Sequence, residues 1–253
     1  MSTVVSTQIG VLENHEAQNS WRLWLQWLFA TTVGYLWAAA IATQLYPVVE
    51  YLRTAVFGPT YYFFSTEGGY GLLPKVAIGA GVIALYQWLV LRHYLQNESW
   101  RQWLGANLLG YVGGLFGSWF LLSILSPGIR GYPTAGQVDL RALGVSLLIV
   151  TGVGATVGIL VALPQWRMFR AHLGDADLWL WANAAAWAVT GMALLLVYIG
   201  ANLWTYQLAT QPQRVRIDGD LINLTLGLVS GLTMGVIVGA ITGAVLMRLL
   251  RRS

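Results

Sequence analysis

The sequence predicts an all-α membrane protein with six transmembrane helices. Only 9% of its 253 residues are charged and 57% are hydrophobic, whereas soluble domains carry about 25% charged residues. Six long uncharged runs divide the chain, and about 20 helical residues cross a hydrocarbon core of about 30 Å. The shortest run lies between Lys75 and Arg92, whose long side chains can place their charges at the interface. We therefore expect one integral membrane domain over residues 1–253.

The six spans are predicted at intervals set by these runs. The first twenty residues are polar and mixed in charge, so the first span is expected to be retained rather than removed as a signal peptide. The long connection 47–73 places apolar residues at helical spacing before an aromatic cluster, which favours a segment lying in the membrane interface. A segment that caps a pocket or meets a partner subunit is the alternative. The predicted spans are 22–46, 71–95, 101–126, 142–166, 178–206 and 221–248.

An even number of spans places both termini on one side of the membrane. That side would carry eight of the fourteen basic residues, most of them arginines next to span ends. Cytoplasmic loops are enriched in such residues. The sequence therefore predicts that both termini face the cytoplasm or its equivalent.

Internal similarity suggests three tandem two-helix repeats. Gln87-Trp88 with Arg92 near the end of the second span matches Gln165-Trp166 with Arg170 at the end of the fourth. Trp103-Leu104 in the third span matches Trp24-Leu25 in the first, and Asn107 with Tyr111 matches Asn183 with Trp187. Duplicated two-span units keep their orientation, so parallel repeats around an axis normal to the membrane are expected. The predicted fold is a pseudo-threefold bundle of units at about 1–95, 99–171 and 177–253.

The glycine-rich helix that ends in Gln87-Trp88-Leu89-Val90-Leu91-Arg92, followed by a turn and a tryptophan-led helix, resembles a known group of sequences. These are uncharacterised multi-pass membrane proteins of phototrophic and related bacteria. The resemblance covers about residues 71–206 and implies no particular activity. It implies a location in a bacterial inner or photosynthetic membrane.

A glycine recurs every four residues in the sixth span, and we call these five residues the glycine ladder. Such spacing places small residues on one helical face, where another backbone can approach closely. Candidate partner faces lie in the third span around Gly110 and Gly114 and in the fourth at Gly154 and Gly158. An internal helix contact is favoured, and the alternatives are contact with another subunit or with a flat ring or polyene chain. The ladder consists of Gly227, Gly231, Gly235, Gly239 and Gly243.

Nine of the thirteen tryptophans belong to the predicted cytoplasmic end. An aromatic belt at the headgroups explains most such enrichment, and a stack of aromatic surface for a bound pigment, quinone or lipid is the alternative. The histidines near this end could ligate a chlorophyll-like metal, with two asparagines as neutral substitutes, or they are solvated turn residues. The candidate cofactor-binding residues are His93, His172, Asn107, Asn183, Trp88 and Trp166.

The composition argues against catalysis. All ten acidic residues fall in predicted loops or tails, which leaves no carboxylate pair within the bilayer for acid–base chemistry. Cysteine is absent and zinc-type spacings of histidine with carboxylates do not occur, so no metal site is predicted.

We therefore predict a non-catalytic membrane scaffold or accessory subunit of a larger membrane complex, of a photosynthetic or respiratory kind. The expected partners are membrane lipids and other membrane subunits, and no nucleic acid. A chlorophyll-like pigment, carotenoid, quinone or lipid is the expected class of bound molecule. The alternative is a permease or channel for a small neutral or lipidic solute.

Overall fold

The computed structural model describes residues 2–44, 69–94, 99–125, 140–171, 173–210 and 219–251, and these ranges form six helices. All six are long and apolar enough to cross a membrane, which agrees with the six predicted spans over the part of the chain that the structure describes. The helices are α1 (Ser2–Gln44), α2 (Gly69–Leu91), α3 (Trp100–Leu125), α4 (Leu140–Arg170), α5 (Asp177–Thr210) and α6 (Gly219–Arg251).

The helix bounds differ from the predicted spans mainly at the N-terminus. α1 begins at Ser2, so the polar segment before the first apolar run is helical as well, while the apolar stretch itself covers Trp21–Ala42. Hydropathy marks where a helix can contact lipid and not where the helix begins, because polar residues also form helix. Residues 47–68 of the predicted interfacial segment 47–73 lie outside the described residues, and residues 69–73 belong to the start of α2.

The six helices form a closed ring in chain order. Each helix packs against the helices before and after it, and α6 packs against α1. Trp24 near the start of the first span donates a hydrogen bond to the Ala240 carbonyl near the end of the last. We call the end of the bundle that contains Trp21, Leu91 and Arg251 the termini side and the opposite end the far side.

Two connections on the termini side have well-defined local structure. Ser99 forms a capping box with Gln102 before α3: the Gln102 backbone N–H donates to Ser99 Oγ, and the Ser99 N–H donates to Gln102 Oε1 at 2.9 Å. Between α4 and α5, Asp175 has a φ of 54°, a left-handed conformation that aspartate tolerates better than most residues. The Leu178 N–H then donates to the Asp175 carbonyl as α5 begins.

Glycines allow the closest approaches between neighbouring helices. A Cβ on Gly235 would lie 2.5 Å from Thr32 Cα of α1, and one on Gly231 would lie 2.9 Å from the Tyr35 carbonyl oxygen. Gly239 and Gly243 also lie against α1, whereas Gly227 lines a cavity. The ladder residues 231–243 therefore meet α1, a helix that the sequence analysis did not name as their partner.

The partner faces suggested from the sequence pack elsewhere. A Cβ on Gly110 would collide with the Val161 backbone of α4, and a Cβ on Gly158 would collide with the Asn183 carbonyl of α5. Gly110 and Gly158 therefore each face the backbone of a residue that is not glycine. Close packing requires a small residue on only one of two helices, so a glycine face does not identify its partner.

Candidate functional site

The termini-side half of the bundle is filled by four aromatic rings that we call the aromatic core. Trp27 of α1, Trp103 of α3 and Trp179 of α5 are fully buried together with Phe169 of α4. The Trp27 ring lies 6.4 Å from Trp103 and 5.9 Å from Trp179, in edge-to-face geometry, the arrangement that aromatic pairs prefer. Phe169 contacts both other tryptophans. Side chains from all six helices surround these rings, so this half of the bundle is closed.

A layer of buried hydrogen bonds accompanies the aromatic core. Gln165 accepts a hydrogen bond from Trp179 Nε1 at 2.9 Å and donates one to Asn107 Oδ1 at 3.1 Å. Gln87 donates to the Thr31 hydroxyl at 3.3 Å. Trp27 Nε1 donates to the Thr242 hydroxyl at 2.9 Å. Because hydrocarbon offers buried polar groups no partners, such bonds fix the relative positions of the helices.

Two buried polar atoms beside these bonds lack a partner. Gln87 Oε1, an acceptor, and Trp103 Nε1, a donor, are both buried without a hydrogen bond. The indoles of Trp27 and Trp179 instead each donate to a polar side chain of the preceding helix in the ring.

The asparagines predicted as pigment ligands lie inside this closed half. Asn107 Nδ2 donates to the Trp103 carbonyl and Asn183 Nδ2 to the Trp179 carbonyl, each at 2.9 Å and one turn back along its own helix. Asn107 Oδ1 is also occupied by Gln165. Both amides therefore take part in internal hydrogen bonds of the bundle.

The other candidate residues lie towards the edge of the termini side. His93 is exposed in the turn after α2, and His172 lies outside the described residues. Trp88 is partly buried and packs against the cluster that contains the aromatic core. Trp166 Nε1 donates to Asp177 at 2.8 Å, and the Arg170 guanidinium lies 5.1 Å from the Trp166 ring. Of the five described candidates, none lines either cavity of the far-side half.

Two adjoining cavities occupy the far-side half of the bundle. The smaller, of about 480 Å³, lies mainly among α3, α4 and α5. The larger, of about 1040 Å³, lies mainly among α1, α2 and α6. Both are lined by Val76, Tyr111 and Trp187. Ligand sites in proteins typically measure about 300–1,000 Å³, so each cavity is large enough for a small organic molecule or a lipid chain.

Few polar groups interrupt the apolar lining. The hydroxyls of Tyr35 and Tyr111 form a hydrogen bond of 2.5 Å where the larger cavity meets the closed half. Trp187 Nε1 and Thr190 Oγ1, from residues that line the smaller cavity, are buried without a partner. A predominantly apolar cavity with a few polar groups is typical of a binding site for a hydrophobic molecule.

The sequence analysis did not predict these cavities, although one feature of the sequence identifies three residues that line the larger one. Tyr35 and Tyr111 are separated by 76 residues, and the same interval leads from Tyr111 to Trp187 and from Trp27 through Trp103 to Trp179. A constant interval between large aromatics is a signal that can be read from the sequence alone. It would have placed these six residues at two levels of the bundle.

Comparison of the chain with protein-family models, curated proteins and solved structures finds no match.

Proposed function

We propose that this protein is a non-catalytic scaffold or accessory subunit of a larger membrane complex, and that its bundle holds a lipid-type molecule. The observation that carries the proposal is the pair of adjoining apolar cavities in the far-side half, above a closed aromatic core. Their size and lining suit an acyl or isoprenoid chain. No histidine is among the described residues that line them, which favours a molecule without a metal centre.

Mass spectrometry of the purified protein tests this proposal. We expect the full chain, extracted in mild detergent, to retain a lipid, quinone or carotenoid through size-exclusion chromatography. Ala42→Trp at the larger cavity and Leu194→Trp at the smaller should each reduce that retention several-fold, because an indole occupies space that the ligand needs. Their controls are Ala40→Trp and Leu196→Trp, which lie on the same two helices but line neither cavity. Equal retention by all four variants would contradict the proposal.

The place in a larger complex rests on the sequence-based reasoning and requires its own measurement. Purification from native membranes should yield co-purifying membrane subunits in fixed proportion. The absorption spectrum of that material tests the pigment hypothesis for His93 and His172. A visible band that is lost in His93→Phe would support it, and a colourless complex would remove it.

A permease for a lipidic solute is the second candidate. The observation that favours it is the asymmetry of the bundle, which is closed by the aromatic core in one half and contains cavities in the other. A transporter open to one side has this form. Protein-dependent movement of a fluorescent lipid between the leaflets of liposomes would favour this candidate over the scaffold.

The repeated organisation of the bundle is part of the proposal. Support comes from the 76-residue interval between equivalent aromatics and from equivalent hydrogen bonds. Gln87 bonds Thr31 within the first unit, as Gln165 bonds Asn107 within the second. In this register Trp103 corresponds to Trp27, which is buried as Trp103 is. The match of Trp103 with Trp24 in the sequence analysis is then offset by three residues from this register.

We also propose that the termini side faces the cytoplasm, on the strength of its arginines. Seven described arginines on this side are all exposed. Because the chain contains no cysteine, a single introduced cysteine reports the accessibility of its own position. We expect His93→Cys, Gly174→Cys and Arg251→Cys to be labelled by a membrane-impermeant maleimide only from the cytoplasmic face. Gln44→Cys and Leu140→Cys should be labelled only from the other face. Labelling of both sets from one face would contradict the six-span topology.

A further inference from the structure

We propose that the larger cavity takes an amphiphile with an anionic head group, and that the Lys75 ammonium pairs with that head at the far-side mouth. The inference rests on the proposed function, because the apolar part of the same molecule occupies the cavity. It adds the chemical class of the ligand and the direction in which the ligand lies.

The larger cavity changes character along its length. Its inner end is lined by Tyr35, Ile83 and Trp187, next to the closed half of the bundle. Its outer end is lined by Gln44, Lys75 and Asn223, all close to the far-side ends of their helices. An apolar interior with a polar mouth matches the two parts of an amphiphile.

The depth of the cavity matches one leaflet of a bilayer. Tyr35 and Gln44 both line it and lie nine residues apart on α1, which corresponds to about 14 Å of helix. Half of a hydrocarbon core of about 30 Å is of the same size. A molecule whose head lies at the far-side surface would therefore extend its chain to the middle of the membrane.

Lys75 determines the sign of the head group. Among the described residues that line the two cavities, it is the one with a charged side chain. The residue is partly buried, while Gln44 and Asn223 are exposed beside the same cavity. An ammonium has three N–H donors, so Lys75 can bind an oxygen of a phosphate or a carboxylate beside the interaction that it already makes within the protein. The two amides can add neutral hydrogen bonds to the same head group. A neutral or zwitterionic amphiphile would fill the same space with less attraction to Lys75.

Native mass spectrometry with matched lipids tests this proposal in two arms. The full chain is offered equal amounts of dioleoyl phosphatidylglycerol and dioleoyl phosphatidylcholine in one arm, and of oleate and oleyl alcohol in the other. We expect the anionic member to be retained about fivefold more than its partner, the effect of one lysine near a membrane surface on an anionic lipid. A preference in the first arm alone assigns the head as a lipid phosphate, and in the second alone as a free carboxylate.

Substitutions at Lys75 separate charge from shape. Lys75→Gln should lower retention of the anionic member about fivefold, to the level of its neutral or zwitterionic partner, and Lys75→Arg should keep the preference. Arg141→Gln is the matched control, because Arg141 is exposed near the start of α4 and lines neither cavity. Thermal unfolding of each variant checks that the bundle is intact.

The outcomes distinguish this inference from the proposed function. No anionic preference in the wild type, or the same preference in wild type and Lys75→Gln, would overturn the role of Lys75 while the cavity still binds a chain. An equal loss in Arg141→Gln would also overturn it, because the effect would then reflect surface charge. Unchanged retention of every lipid in Ala42→Trp and Leu194→Trp would instead overturn the proposed function.

Discussion

Replacing Gly235 with leucine is expected to separate α1 from α6 and to lower the free energy of unfolding by about 3 kcal/mol, the upper part of the usual range for overpacking. A Cβ at this position would lie 2.5 Å from Thr32 Cα and 3.1 Å from the Thr32 carbonyl oxygen. Both atoms belong to backbone, so no change of side-chain rotamer can relieve the collision. The two helices must move apart and lose contacts along their length. Thermal or detergent-induced unfolding of the purified protein measures the loss.

The neighbouring residue provides the control for this substitution. Val236 is 43% exposed and points away from α1, so Val236→Leu should change the free energy of unfolding by less than about 0.5 kcal/mol, as is usual at exposed positions. If both variants unfolded at the same temperature, the glycine ladder would not be a packing surface.

The number of membrane spans was predictable because the information is local. Each span requires about 20 consecutive apolar residues whatever its neighbours are, and charged residues end the runs in the sequence. The partner of each helix was not predictable from the same pattern. The ladder defines the face of α6, but nothing in its spacing distinguishes α1 from α3 or α4.

The tryptophans show the same limit at the level of single residues. Trp21, Trp100 and Trp181 are 57%, 52% and 69% exposed, as expected for an aromatic belt. Trp27, Trp103 and Trp179 lie in sequence of similar composition, yet these three side chains are buried in the aromatic core. Which face of a helix points inward depends on the assembled ring, so enrichment alone could not separate belt residues from core residues.

The cavities could not be predicted from the sequence, because a cavity is space that no side chain fills and its walls depend on how the helices pack. Their lining comes from residues of all six helices, which are far apart in the sequence. Lys75 was interpreted from the sequence as a residue at a span end with its charge at the interface. The structure adds that this end borders the larger cavity, which makes the same side chain a candidate for ligand recognition.

Trp179→Ala is expected to be the most destabilising change in the closed half, lowering the free energy of unfolding by about 4 kcal/mol, as for other large-to-small changes of buried tryptophan. The indole is 1% exposed. It lies 5.9 Å from the Trp27 ring and 4.9 Å from the Phe169 ring. Removing it leaves a void at a point where α1, α4 and α5 meet, and neighbouring helices held by their own contacts can fill that void only in part. Unfolding in detergent measures the effect.

Trp181→Ala is the matched control, because Trp181 is two residues away on α5 and 69% exposed, so its loss should cost less than about 1 kcal/mol. Phenylalanine variants then separate packing from hydrogen bonding. Trp179→Phe keeps most of the ring but removes the donor that lies 2.9 Å from Gln165 Oε1, at an expected cost of about 1 kcal/mol. Trp103→Phe should cost less, since Trp103 Nε1 has no hydrogen-bond partner to lose. If Trp103→Phe were instead as destabilising as Trp179→Phe, the indole of Trp103 would be paired in the membrane, and Gln87 Oε1, which is also buried without a partner, would be the candidate acceptor.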